Sequence, residues 1–311
     1  MSTVAGAAAP VTQERAASRR GRNARERWVA LLCLAPSAAV FAAFVFYPFA
    51  NAFYLSFHTN DLLGRPVTFV GFDQYRRFFT DPYFGRVMLT TLWFVLLTVV
   101  PSIVMGLALA LLVQPKLRGI GIFRTLLATP FAFSAAAAAV VFDVFLRPGM
   151  GLFNGILSNF SDINVDWLTS PAIALPSVAA VTVWRHAGYT MLVCLAGLQS
   201  IPESYYEAAR IDGATRTAQF RWITLPLLRP TLLFLLVVST IHALQTFGEI
   251  KIMTEGGPSN ATTTLVYSLY KSAFGFGASD YGLASAQGVV LMLIVFAITA
   301  VQFRLLGKRV D

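Results

Sequence analysis

Eight residues with reactive or polar side chains stand in stretches otherwise built from hydrocarbon: Asp143, Trp184, Arg185, His186, Tyr189, His242, Gln245 and Glu249. A charge at the centre of a bilayer costs about 2.5–3.5 kcal/mol on insertion scales, so such residues face a cavity or a partner group. His242, Gln245 and Glu249 are three and four apart, which puts them on one face of a continuous helix. A polar face on an apolar helix suits a lined pathway. Arg185 or His186 suits a phosphate group, and Trp184 or Tyr189 suits a quaternary ammonium such as choline. Hydrogen bonds between packed helices would use the same residues equally well.

Metal or acid–base catalysis finds less support. The three histidines, His58, His186 and His242, are dispersed without ligand spacing. Cys33 and Cys194 both lie in apolar runs, as structural thiols do. The phosphate-cradling pattern G-x-x-x-x-G-K-[ST] is absent, and Gly307-Lys308 does not supply it. ATP chemistry therefore belongs to another polypeptide, and no cofactor is expected on this chain.

A polar segment at 200–226 is of another kind. It reads as two short helices. Ser200 and Glu203 form a candidate capping box, with Pro202 in the first turn. Gly213 is placed to take the left-handed conformation that stops the first helix, and Pro226 to end the second. Ala208, Ala209 and Gly213 offer little side chain, so another surface can approach the backbone. Glu207, Arg210, Asp212, Arg216 and Arg221 surround that patch with charge.

The elements that hold these residues are set by composition. Hydrophobic residues are 56% of 311 and charged residues 13%, about half the share of a soluble domain. Mean hydropathy is +0.65. A helix needs roughly 20 apolar residues to cross a bilayer, and six stretches qualify: 28–57, 87–113, 120–145, 172–198, 231–250 and 283–305. Pro101 and Pro130 are expected to kink two of them. Gly106, Ala110 and the run Ala135 to Ala139 permit close helix approach. Residues 1–27, polar and Arg-rich, read as a disordered cytoplasmic tail, and 28–311 as the membrane domain.

The net charge of +9 follows the same topology rather than nucleic-acid binding. Lys and Arg mark the cytoplasmic side. Arg15, Arg19, Arg20, Arg22, Arg25 and Arg27 precede the first span. Lys116, Arg118 and Arg124 join the second to the third, Arg210, Arg216, Arg221 and Arg229 the fourth to the fifth, and Arg304, Lys308 and Arg309 end the chain. Six spans put all of these on one side, with both termini cytoplasmic. The loop 58–86 breaks the pattern, because Arg65, Arg76, Arg77 and Arg86 fall on the outer side.

Glu207-Ala208-Ala209, Gly213 and Ile223-x-Leu225-Pro226 resemble the "EAA" signature of ABC importer permeases. The resemblance covers nearly the whole chain. Phe46-Tyr47-Pro48, Glu255-Gly256-Gly257-Pro258 and Ala261-Thr262-Thr263-Thr264-Leu265 with Tyr267 and Tyr270 resemble the carbohydrate-uptake permeases. Ala286-Gln287-Gly288-Val289-Val290-Leu291-Met292 and Val301-Gln302-Phe303-Arg304 resemble, more narrowly, the A-type permeases for sn-glycerol 3-phosphate and glycerophosphodiesters such as glycerophosphocholine. Permeases for trehalose, maltose or other oligosaccharides share much of this pattern.

The resemblance implies an all-α fold of six transmembrane helices with a cytoplasmic coupling helix, the type I importer permease fold, in the bacterial inner membrane. It implies coupling to the ATPase through Glu207, Ala208, Ala209, Arg210, Asp212 and Gly213. It also implies a heterodimer with a second homologous permease, two ATPase subunits carrying ATP and Mg, and an extracytoplasmic substrate-binding lipoprotein, all amid membrane lipid. A secondary transporter would need an ion-coupling site and often a repeat, and neither stands out. A membrane enzyme would need a convergent catalytic set.

Overall fold

The computed structural model describes residues 28–61, 64–114, 118–160, 164–275 and 279–306. The tail 1–27 and Lys116, Lys308 and Arg309 lie outside them.

Helix α1 (Trp28–Leu55) forms a unit of its own, the division falling after Tyr54. Its 28 residues are apolar on every face, and none of its most hydropathic window is buried within the chain. A π-turn, Ala42–Phe46, precedes Tyr47 and Pro48. A helix apolar all round belongs in lipid or against other helices.

In the second unit, α3 (Pro82–Val113) and α7 (Ala174–Gln199) make the most extensive helix pair. Asp81 starts α3 by accepting the Tyr83 N–H at 2.8 Å, with Pro82 in the first turn. The helix runs on through Pro101 without breaking. Small residues let the pair close. Thr190 Oγ1 donates to the Ser102 carbonyl at 3.0 Å, and a Cβ at Gly106 would fall on the Thr190 side chain and lie 2.9 Å from the Met191 nitrogen. The seam is filled by Phe94, Val178, Met191 and Cys194, all fully buried.

The third expected span is not one helix. α4 (Ile120–Ala128) and α5 (Ala135–Phe145) meet at 95°, separated by the 3-10 turn Thr129–Ala132. Pro130 withholds an N–H at the turn, and the Ser134 Oγ caps α5 by accepting from the Ala137 N–H at 3.1 Å. Among the described residues, five helices are long and apolar enough to cross, or six if this bent pair counts as one span.

The fifth span, Arg229–Met253, counts as one length of helix but is interrupted within it: α10 (Arg229–Leu244) stops before Gln245, and α11 (Gly248–Met253) follows. Ala135 packs against Gly248, where a Cβ would come within 3.3 Å. α13 (Tyr281–Leu306) closes the bundle, preceded by α12 (Leu265–Phe274).

The segment 58–86 holds more structure than a loop. β1 (His58–Asn60) and β2 (Pro66–Phe69) pair antiparallel, His58 opposite Phe69. The amphipathic α2 (Asp73–Thr80) follows. A short α6 (Leu152–Leu157) lies before α7, held by Asn154, whose Oδ1 accepts from Trp167 Nε1 at 3.0 Å.

The α3–α7 seam has no room for one carbon at Gly106. Gly106→Ala is expected to destabilise the protein by about 1–3 kcal/mol, read as a lower thermal midpoint in detergent, while Gly121→Ala, which meets open space, leaves it unchanged.

Candidate functional site

The segment after α7 begins differently from expectation. Ser200 does not cap the next helix. It closes α7, donating from Oγ to the Gly197 carbonyl at 2.8 Å, and α8 (Glu203–Ile211) starts at Pro202 without a side-chain cap. α8 ends as Gly213 requires. With φ of +76°, Gly213 lets its own N–H reach the Arg210 carbonyl at 3.1 Å and the Ala214 N–H reach Ala209 at 2.8 Å, the two bonds of a Schellman stop. Thr215 then caps α9 (Arg216–Gln219). Pro226 does not end this second helix. The chain winds on through a π turn, Phe220–Thr224, and Leu225–Leu227 to Leu228, where α10 begins.

No residue of α8 is buried. Glu207, Ala208, Arg210, Asp212 and Gly213 are exposed and Ala209 half-buried. Two large apolar side chains also stand out, Ile211 at 87% exposed and Trp222 at 73%. Helices of this kind present a face to a partner. The inner side of α8 is anchored. Tyr206 packs among Leu198, Ile201 and Leu228, and its hydroxyl bonds the buried Thr224 Oγ1 at 3.0 Å. Tyr206 therefore ties α8 to the π turn at the root of α10.

The polar residues of the spans sort into separate pairs. Arg185 on α7 donates Nε and Nη2 to Glu249 Oε1 on α11 at 3.0 and 2.9 Å. Glu249 is 1% exposed and the Arg185 side chain 16%. His186 sits 5.6 Å from His242 between ring centroids, its Nδ1 3.0 Å from the Thr182 carbonyl. With Thr98, Val99, Ser102, Thr182, Ser239 and Ala243 these histidines line a small cavity of about 10 Å³, room for one water. Trp184 packs on Phe142 at 5.0 Å and Tyr189 on Phe131 at 5.2 Å. Asp143 pairs with Arg147 at 3.2 Å within α5 and the turn after it.

The single polar face expected from His242, Gln245 and Glu249 does not form. The helix stops at Leu244, and Phe247, with φ of −129°, leaves the helical path. His242 lines the small cavity. Gln245 lines a groove of about 450 Å³ with Ile241, Gly288, Leu291, Met292 and Phe296, between α10 and α13. Glu249 turns inward to Arg185. The cavity hydroxyls were not singled out from sequence, although Thr98 and Ser102, Thr182 and His186, and Ser239 and His242 are each three or four apart. Tyr206 and Thr224 carried no such signal.

Residues 3–311 match the family model for the binding-protein-dependent transport system inner membrane component. The chain belongs to that family. As one of its inner-membrane permeases it is a multi-pass transporter subunit and not an enzyme. Similar permeases include the sn-glycerol-3-phosphate transport system permease protein UgpA of Brucella abortus, 40% identical over 89% of this chain and 94% of that protein. UgpA of Yersinia enterocolitica is 38% identical over 91% and 95%. The sulfoquinovosyl glycerol transport system permease protein SmoG of Agrobacterium fabrum is 36% identical over 91% and 92%. Among solved structures, a bacterial alginate ABC transporter in complex with an alginate pentasaccharide-bound periplasmic protein matches with a TM-score of 0.80, at 25% identity, over 93% of this chain and 98% of its own. A second alginate importer structure matches at 0.78 and 27% identity. The fold is thus the type I ABC importer permease fold.

In this permease the Arg185–Glu249 pair is buried, so its halves are unequal to its whole. Arg185→Ala leaves a carboxylate in an apolar setting and is expected to cost about 3–5 kcal/mol, whereas Arg185→Met with Glu249→Leu recovers most of it. Thermal unfolding of the two variants checks this. Equal losses would mean the pair contributes nothing beyond packing.

Proposed function

We propose that this chain is one half of the translocation pathway of an ATP-driven importer for sn-glycerol 3-phosphate or a glycerophosphodiester such as glycerophosphocholine. The observation that carries the importer reading is α8. It is wholly unburied on its outer face, ended by Gly213 and tied to α10 through Tyr206 and Thr224. Glu207, Ala208, Ala209, Arg210, Asp212 and Gly213 form its contact with a separate ATPase, which holds ATP and Mg. Two such ATPases, a second homologous permease and an extracytoplasmic substrate-binding lipoprotein complete the complex, and both termini are cytoplasmic.

Alternating access follows. The ATPase subunits close on ATP, α8 moves with them, and the spans open a cavity to the outside. Nucleotide shifts this equilibrium only because it binds the two states unequally.

The relatives support the substrate class. Glycerol 3-phosphate, sulfoquinovosyl glycerol and the acidic polysaccharide alginate, named for those proteins, are all polyhydroxylated anions. The cavity has room for one water as it stands, so on this reading His186, His242 and Ser239 meet a polyol only after the spans open, with Trp184 and Tyr189 as apolar walls. Arg185 is already neutralised by Glu249, so it offers hydrogen bonds rather than a free charge. The alginate structures support the second reading, an oligosaccharide permease.

Two outcomes test the proposal in the reconstituted complex with its binding protein. ATPase activity is expected to rise with glycerol 3-phosphate or glycerophosphocholine and not with trehalose. Gly213→Val, a β-branched residue at positive φ, is expected to abolish that rise while the complex still assembles. Stimulation by trehalose alone would transfer the chain to the oligosaccharide class. Separately, Tyr206→Phe removes one hydrogen bond worth about 1 kcal/mol. It is expected to lower the substrate moved per ATP severalfold, measured by paired transport and phosphate-release assays.

A further inference from the structure

The four arginines of the outer segment have no place in the topology rule or in the pathway. Three of them, Arg76, Arg77 and Arg86, lie on α2 and the start of α3. α2 turns Gln74 and Phe78 inward, and both are buried. Its other side carries Phe72, Arg76 and Phe79 at i, i+4 and i+7, and Arg77 lies on the flank between that side and Gln74; all four are exposed. Phe72 is 74% and Phe79 56% exposed. Phe79 packs edge-on against Phe84 at 5.0 Å, which fixes α2 to the first turn of α3.

From that turn an exposed stripe runs down α3: Arg86, Leu89, Trp93, Leu96, Val100 and Val104. Below Arg86 it is entirely apolar, the surface of a helix that faces hydrocarbon. Arg86 and α2 thus stand where that apolar stripe ends. Aromatic rings and arginines at this level are the composition of a membrane–water boundary. Between positions 73 and 86 three arginines stand against two carboxylates, Asp73 and Asp81, which leaves the segment net positive. Asp81 accepts the Tyr83 N–H, and Asp73 meets Arg77 only at 3.9 Å with both side chains exposed.

We propose that Arg76, Arg77 and Arg86, flanked by Phe72 and Phe79, form a binding surface for the headgroup of an anionic phospholipid. The guanidinium fork matches a phosphate, and the two rings sit among the glycerol and upper acyl carbons. The continuity with the apolar stripe favours lipid over a protein partner. The proposal is independent of the transported substrate.

The test uses the detergent-purified importer complex and native mass spectrometry, titrating phosphatidylglycerol or phosphatidylcholine. Wild type is expected to bind phosphatidylglycerol the more tightly. Arg76→Gln with Arg77→Gln and Arg86→Gln is expected to weaken it by about fivefold for each arginine removed, with phosphatidylcholine unaffected. Equal affinity of wild type for the two lipids would overturn the proposal, and needs no variant to fold. So would a triple variant that keeps wild-type affinity for phosphatidylglycerol but loses affinity for the binding protein, since the surface would then belong to a protein.

Discussion

Within hydrocarbon, a peptide group that leaves its helix has to find a partner inside the protein. Among the described residues the third and fifth expected spans are each interrupted, and both interruptions are stitched locally. At the first, Thr129 Oγ1 donates to the Thr125 carbonyl at 2.8 Å and the Phe133 N–H reaches Pro130 at 3.2 Å. At the second, the Gln245 N–H bonds Ile241 at 3.2 Å and Thr246 Oγ1 bonds the His242 carbonyl at 3.0 Å. These bonds make the bends tolerable, and the bends place the polar groups. α5 lies at 95° to α4 and packs on α11, which carries Glu249 to Arg185.

The polar residues therefore act as joints as much as a lining. Arg185 and Glu249 hold α7 to α11, and Thr190 holds α7 to α3. At the other end of α7, Leu198 packs in the cluster that takes Tyr206. One helix thus contacts the polar centre of the bundle at one end of its path and the anchor of α8 at the other. α8 is thus joined to α7 by packing and, through the Tyr206–Thr224 bond, to the turn that leads into α10. The loop 254–264 is fixed by a separate device: Thr262 and Thr263 are fully buried and donate to the Gly257 and Gly256 carbonyls at 2.7 and 2.9 Å.

Much of this was legible in the residues. Long apolar runs marked the spans because hydrocarbon demands them, and Gly213 marked the stop of α8 because glycine alone takes positive φ freely. What failed was local rhythm without context. Ser200 and Glu203 have capping-box spacing, yet the α7 carbonyls claim the serine first. Pro226 sits in a first turn, where proline is tolerated, and so does not end its helix. The three-and-four spacing of His242, Gln245 and Glu249 assumed a helix that Gln245-Thr246-Phe247 interrupts. The Arg185–Glu249 pair spans 64 positions, beyond any local pattern. The hairpin and α2 were hidden because short outer elements lack the length that makes a span conspicuous.

The central claim is that the outer face of α8 is cytoplasmic and covered by the ATPase. It is tested most directly by a single cysteine, Ala208→Cys, in a Cys33→Ala/Cys194→Ala background, challenged with a membrane-impermeant thiol reagent. Labelling is expected in inside-out vesicles stripped of the ATPase, and not in intact cells. Adding the ATPase back should protect it. Labelling from outside, or labelling indifferent to the ATPase, would contradict the coupling role of this helix.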